Sequence, residues 1–190
     1  MRKVFITKER TIHTYAELWQ GSAFCLQVGQ AHPQGASWHF LSSVLLTAFS
    51  FEAYLNHVGP EAMDSWAELE RLSPMGKLRV LAEALSVKLP IAGKRPVQTV
   101  NELLQFRNTV AHGRSAELRY KPVIKTVENY QDELHEPLLA DWERLVRTDK
   151  FAVRARADIE EVMQLVQAGR KEAKENLFTT GLGHGSASLL

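Results

Sequence analysis

Residues 37–57, SWHFLSSVLLTAFSFEAYLNH, decide the fold of this chain because they combine length with a regular apolar pattern. Their apolar side chains recur at the three- and four-residue spacing of one helix face, at Trp38, Leu41, Leu45, Ala48, Phe49 and Leu55. This pattern predicts a long amphipathic helix that starts at Ser37 and ends at Gly59 and Pro60. Glu52 falls on the same stripe, where a carboxylate is an unusual residue.

A second amphipathic helix is predicted over residues 99–112, where a Thr-x-x-Glu capping box marks the start and Gly113 the end. One of its faces is apolar apart from an arginine and carries Val100, Leu103, Leu104, Arg107, Val110 and Ala111. A guanidinium that faces a core needs a carboxylate or other acceptors. We therefore expect Arg107 to pair with Glu52 across the interface between the two helices, through two parallel hydrogen bonds if the geometry allows.

Weaker helix signals fill most of the remaining chain. Capping-box patterns begin at Thr14 and Ser65, and Ser73 followed by Pro74 marks another start. Helices are predicted over about 14–28, 73–85, 136–146 and 150–167, with a short one after Ser65 and a turn over 29–35. Residues 118–130 are predicted to be an extended connection, and the Gly- and Ser-rich residues 179–190 a disordered tail. The chain is therefore predicted to be one all-α domain, 1–178, an antiparallel helical bundle of about five to seven helices without strong strand pairing.

Composition narrows the class of protein without revealing its function. The chain is 45% hydrophobic and 24% charged, which is typical of a globular domain, and its net charge of +1 does not indicate a partner. The single cysteine, Cys25, excludes an internal disulfide and fits a reducing compartment. The first ten residues lack the apolar run of a signal peptide, and residues 41–54 are too short and too polar to span a bilayer. We expect a cytoplasmic protein that does not enter membranes and, because no His or Cys spacing suits a metal, uses no metal or other cofactor.

The sequence FRNTVAHGR, residues 106–114, contains the candidate active site. Asn108 and His112 are four residues apart and share one helix face, while Arg107 lies about 100° away but is long enough to reach the same point. The C-terminal end of a helix also favours a cationic side chain such as a protonated imidazole. Cleavage of RNA by its own 2′-OH needs proton transfer and a cation for the developing phosphorane charge. His112 would transfer the proton, Arg107 would stabilise the charge, and Asn108 would orient one of them or the phosphate.

Local charge is consistent with an anionic ligand. Residues 93–125 contain seven Lys or Arg side chains and two acids, a bias that the near-neutral total conceals. Lys94, Arg95 and Arg114 are therefore candidate RNA-binding residues, although a pair such as Lys94 and Arg95 is more often part of a solvated loop.

The stretch RNTVAH, residues 107–112, resembles the motif of the HEPN family, in which an arginine is followed after four to six residues by a histidine. Members commonly have a polar residue directly after the arginine, as Asn108 is here, and Glu52 within SFEAYLN resembles the acidic residue of an earlier helix. The resemblance covers about residues 37–114. It implies a homodimer whose motifs face a shared cleft and metal-independent endoribonuclease activity. It also implies a role in toxin–antitoxin or other defence systems, often beside a nucleotidyltransferase-type antitoxin.

Two other interpretations of the same residues remain open. Some HEPN proteins have lost catalysis and bind RNA or a protein partner, in which case Arg107 and Glu52 form a structural ion pair. The chain could also be a plain helical scaffold, in which that pair fixes helix register, His112 caps its helix and Asn108 bonds a loop.

Overall fold

The computed structural model describes residues 4–119, 124, 126, 128, 130–135, 137–171, 176–181 and 183–189. The chain is an all-α helical bundle, as predicted, with one additional two-stranded ribbon. In chain order the elements are β1 (Val4–Arg10), α1 (Thr14–Ala31), α2 (Ala36–Ala62), α3 (Trp66–Leu69), α4 (Pro74–Ala84), α5 (Val97–Ala111), α6 (Tyr130–His135), α7 (Asp141–Val146), α8 (Lys150–Gly169) and β2 (Gly183–Leu189). Within the described residues, no helix combines the length and the apolar composition needed to cross a bilayer.

The central element is α2, which contains the predicted 37–57 helix and packs against α1, α3, α4, α5, α7 and α8. Its inward face is fully buried at Phe51, Leu55 and Val58, and each such side chain stabilises the fold by about 1.5–3 kcal/mol relative to an exposed one. Tyr54 on the same helix donates a hydrogen bond to Gln167 Oε1 of α8 at 2.9 Å. Burial raises the pKa of Tyr54 far above its ordinary value, so the hydroxyl remains a donor.

Small hydroxyl side chains fix the register between α1 and α2. Ser22 Oγ lies 2.6 Å from Thr47 Oγ1, and the two hydroxyls lie 2.9 and 2.8 Å from the carbonyl oxygen of Ser43. Further along the pair, Ser50 Oγ donates to the carbonyl oxygen of Tyr15 at 2.7 Å. Buried polar groups need partners, so sliding one helix along the other would break these bonds.

Two glycines that suggested helix ends instead lie at close contacts inside helices. A Cβ on Gly29 would lie 2.6 Å from Phe40 Cε1; α1 continues into the predicted turn as far as Ala31, and the turn falls at 32–35. A Cβ on Gly59 would lie 2.0 Å from Trp66 Cε2, and α2 continues through Pro60 to Ala62. The predictions that these helices end at Gly29 and Gly59 were wrong because glycine served packing there rather than a turn.

The helix starts predicted at Thr14, Ser65 and Ser73 are confirmed, and the start predicted at Thr99 is displaced. Ser73 Oγ accepts a hydrogen bond from the Gly76 N–H at 3.2 Å, and Pro74 begins α4, which confirms that start. The predicted capping boxes at Thr14, Ser65 and Thr99 are not formed, because none of these hydroxyls caps its helix. Thr99 is buried inside α5, which begins two residues earlier than predicted.

The last third of the chain differs from the prediction more strongly. Of the helix predicted over about 136–146, only the second half is helical and forms α7, since residues 137–140 are not helical. Most of the predicted connection over 118–130 lies outside the described residues. The tail 179–190, predicted to be disordered, contains β2, which pairs with β1 in an antiparallel register from Val4 opposite Leu189 to Arg10 opposite Gly183. Just before it, Phe178 stacks on Trp19 of α1 with 4.6 Å between ring centroids.

Candidate functional site

The predicted pair between Glu52 and Arg107 is present. Arg107 Nη2 on α5 donates to Glu52 Oε2 on α2 at 2.6 Å, and 18% and 30% of the two side chains are exposed. Each residue lies on the apolar stripe of its helix, and the two stripes meet where α2 and α5 pack, so each charge compensates the other. Because both side chains retain some contact with water, the pair contributes less than the roughly 3–5 kcal/mol lost when a fully buried pair is broken.

A second cation, Lys77 on α4, lies at the same carboxylate and was missed from the sequence. Lys77 Nζ donates to Asn56 Oδ1 at 2.9 Å and lies 3.7 Å from Glu52 Oε1. Only 4% of its side chain is exposed. Lys77 occupies the buried face of α4 together with Leu78 and Leu81, so the signal that singled out Glu52 and Arg107, a charge on an apolar stripe, was present here too.

Glu52, Asn56, Lys77 and Arg107 are called the polar cluster below. The hydrogen bonds within the cluster do not satisfy every N–H donor of Arg107. The predicted pair of parallel hydrogen bonds is not formed, since a single guanidinium nitrogen, Nη2, bonds Glu52. Arg107 Nε is buried and has no hydrogen-bond partner among the described residues. The guanidinium therefore keeps donors that Glu52 does not satisfy.

Asn108 and His112 lie on the outside of α5, at its C-terminal end. Both are exposed, and the backbone N–H of His112 donates to the Asn108 carbonyl oxygen at 2.9 Å. Within the part of the chain that the structure describes, neither side chain takes part in a hydrogen bond or ion pair. Arg107 Nη2 bonds Glu52 on α2, and among the described residues no hydrogen bond joins Arg107 to the side chain of Asn108 or His112, so their meeting at one point stays a prediction.

The three candidate RNA-binding cations do not form one patch. Arg95 donates from Nε and Nη2 to buried Asp158 on α8 at 2.7 and 2.6 Å, while Lys94 is exposed. Both precede α5, and along this helix Arg107 lies ten residues after Val97, a rise of about 15 Å. Arg114, by contrast, is exposed directly after α5, at the end that carries His112. Of the three, Arg114 is the one nearest in sequence to the candidate site.

The bond between Arg95 and Asp158 has an electrostatic consequence. Burial opposes ionisation of Asp158, but the hydrogen bonds and positive charge of Arg95 outweigh it and hold the pKa of this carboxyl below its ordinary value. The geometry assigns Arg95 to holding the start of α5 against α8.

An exposed apolar stripe on α2 runs toward the polar cluster. Trp38 is 68% exposed and Phe49 43% exposed, and Leu45 between them is partly buried. Successive members from Trp38 through Leu45 and Phe49 to Glu52 are seven, four and three residues apart, and these intervals place all four side chains on one helix face. Near its start, the stripe borders a groove of about 280 Å³ lined by residues of α2 and α7 and of the segment before α7, among them Trp38, Leu41, Pro137, Trp142 and Val146.

Among the described residues, no three His, Cys, Asp or Glu side chains are grouped as a metal ion would require. Comparison of the chain with protein-family models, with curated proteins and with solved structures gave no match.

Proposed function

We propose that this chain is a metal-independent endoribonuclease of the HEPN type, with Arg107 and His112 as catalytic residues. The observation that carries the proposal is the pairing of Arg107 with Glu52 at 2.6 Å, five residues before an exposed histidine at the end of the same helix. The pair was expected from the sequence, and it matches the relation between the arginine and the earlier acidic residue that the family resemblance implies. RNA is the proposed substrate.

The proposed reaction is attack of a 2′-oxygen on the neighbouring phosphorus. The 2′-OH loses its proton, the new P–O bond forms as the bond from phosphorus to the 5′-oxygen breaks, and the departing oxygen takes up a proton. The products are a 2′,3′-cyclic phosphate and a 5′-hydroxyl. His112 serves in proton transfer, Arg107 stabilises the charge on the phosphate oxygens with its unused donors, and Asn108 orients the phosphate.

A homodimer completes the proposed site. Two proton transfers are needed, and each chain supplies one exposed imidazole at the end of α5. The stripe of Trp38, Leu45 and Phe49 supports self-association, because aromatic side chains of this size at exposed positions are typical of interface anchors. A dimer formed along α2 would bring two copies of the polar cluster near one cleft, since the stripe leads to Glu52.

One observation favours a different function for the same residues. Arg107 bonds Glu52, and among the described residues it makes no hydrogen bond to the side chain of Asn108 or His112. In that alternative the chain is a non-catalytic module that binds RNA or a protein, and the ion pair is structural. A toxin or defence role, a nucleotidyltransferase-type antitoxin as partner and a cytoplasmic location belong to the leading proposal and rest on the family resemblance.

The test is cleavage of RNA by the purified protein in the presence of EDTA. His32 offers a matched control, because it is also an exposed histidine at the C-terminal end of a helix, α1. Wild type and His32→Ala are expected to cleave and to leave 2′,3′-cyclic phosphate ends. His112→Ala and Arg107→Ala are expected to lose activity by about 100-fold or more. If folded wild-type protein binds RNA but does not cleave it, the binding-module interpretation replaces this one.

A further inference from the structure

The polar cluster contains two cations for one carboxylate, and they differ in what they can reach. Glu52 Oε2 accepts from Arg107 Nη2 at 2.6 Å, while Glu52 Oε1 lies 3.7 Å from Lys77 Nζ. The Lys77 ammonium is also anchored by Asn56 Oδ1 at 2.9 Å. Glu52 is therefore neutralised from both sides, by one cation on α4 and another on α5.

Burial decides which cation can meet a ligand. The Lys77 side chain is almost completely enclosed, and its ammonium is already bonded to α2, so an anion in solvent cannot approach it without opening the core. The Arg107 side chain is 18% exposed against 4% for Lys77, and only its Nη2 bonds Glu52, while its Nε is buried. A phosphate that arrives at this surface would contact Arg107 and not Lys77.

The charge balance of the cluster depends on Lys77. With Lys77, Arg107 and Glu52 ionised the sum is +1, and without Lys77 it is zero. In the neutral case a phosphodiester would compete with the only counter-ion of Glu52, and Arg107 could turn to the phosphate only by leaving a partly buried carboxylate without a partner. With Lys77 present, Glu52 stays neutralised while Arg107 binds the anion.

We propose that Lys77 is a positioning residue that holds Glu52 and so releases the donors of Arg107 for an RNA phosphate. The inference rests on the proposed function, because it assumes that Arg107 contacts phosphate. It assigns Lys77 a role that acts through Glu52, with no contact between Lys77 and the ligand.

The experiment measures binding of a short 2′-O-methyl RNA strand of mixed sequence, which cannot be cleaved, so the readout does not depend on catalysis. Lys77→Met removes the charge and keeps most of the apolar stem. It is expected to weaken binding by about tenfold or more, the loss that accompanies one charge-assisted contact. Lys88→Met, which removes one exposed positive charge elsewhere, is the control and is expected to change binding by less than about threefold.

The decisive variant is the double one, Glu52→Gln with Lys77→Met. If Lys77 acts by neutralising Glu52, removing the carboxylate makes the lysine dispensable, and the double variant is expected to bind within about threefold of Glu52→Gln alone. A role in packing alone would not be rescued in this way. A loss of tenfold in the Glu52→Gln background would overturn the proposal by showing that Lys77 contacts the RNA or maintains the fold. This comparison also serves if Lys77→Met alone does not fold.

Failure of the inference and failure of the proposed function give different results. If Arg107→Ala binds the strand as tightly as wild type, Arg107 does not contact phosphate and both fail. If Arg107→Ala binds weakly while Lys77→Met binds normally, the proposed function stands and the role of Lys77 is refuted.

Discussion

Replacing Gly59 with alanine should destabilise the protein even though alanine is the better helix former. The added Cβ would lie 2.0, 2.1 and 2.5 Å from Cε2, Cδ2 and Cζ2 of Trp66. Carbon atoms in contact are separated by about 3.5–4.0 Å, so the indole or the helix must move by about 1.5 Å. Trp66 is buried within the hydrophobic core, and close-packed interiors resist such a shift.

The decrease in the free energy of unfolding can be given a lower and an upper limit. Because the overlap is large, its cost should lie between about 3 kcal/mol, the upper end of the usual cost of overpacking, and about 5 kcal/mol, the upper end for complete loss of a buried tryptophan. The higher helix propensity of alanine offsets at most about 1 kcal/mol of this cost. The free energy of unfolding should therefore fall by about 2–4 kcal/mol, which lowers Tm by roughly 4–16 °C for a domain of this length.

Gly21 is the matched control, because it lies inside α1 and an added Cβ would meet Leu46 Cδ1 at an ordinary 3.5 Å. Gly21→Ala should raise the free energy of unfolding by about 0.5–1 kcal/mol. Urea unfolding followed by circular dichroism measures both variants. A Gly59→Ala protein as stable as wild type, beside a stabilised Gly21→Ala protein, would refute the claim that Trp66 packs against a bare helix backbone.

Three further predictions concern other contacts. The pKa of Asp158 is depressed in the folded state, so the ionised carboxylate stabilises the fold above the unfolded pKa of about 3.9, and this contribution is lost as pH falls through the folded pKa. Urea unfolding between pH 7 and pH 3 should therefore show a smaller decrease in the free energy of unfolding for Asp158→Asn than for wild type. Trp38→Glu and Phe49→Glu should each shift a dimer toward monomer in sedimentation velocity, whereas equal sedimentation would mean that α2 is not the interface. Phe178→Ala should speed hydrogen exchange in β1 while α8 remains protected, because the Phe178 ring, stacked on Trp19, anchors the segment that leads to β2. Unchanged exchange in β1 would show that the ribbon does not depend on this ring.

Charges on apolar stripes were the most informative feature of the sequence. Glu52 and Arg107 could be paired in advance because a core-facing charge needs a counter-charge, and each of the two long helices had one. Lys77 obeyed the same rule on α4, but a helix of 11 residues gives a short stripe on which one polar position stands out less. The sequence could not show whether Arg107 also meets Asn108 and His112, because its long side chain has donors beyond the one that Glu52 accepts.

Helix ends and the ribbon were harder to predict for physical reasons. Glycine suits both a turn and a close helix contact, and only the position of Phe40 and Trp66 in three dimensions shows which applies at Gly29 and Gly59. The pairing of β1 with β2 joins segments at opposite ends of the sequence, and Gly and Ser residues give β2 little strand propensity of its own. The local sequence pattern of either strand contains no information about a pairing partner at the other end of the sequence.

The antiparallel register of β1 and β2 places the outer end of one strand beside the outer end of the other. Val4 and Leu189 are direct partners, so their Cα atoms are separated by the usual spacing of about 4.5–5.5 Å. A covalent cross-link between these two positions would therefore close residues 4–189 into a ring without disturbing the helices. Such a ring should resist unfolding better than the open chain, because closure removes conformations from the unfolded state and leaves the folded one unchanged.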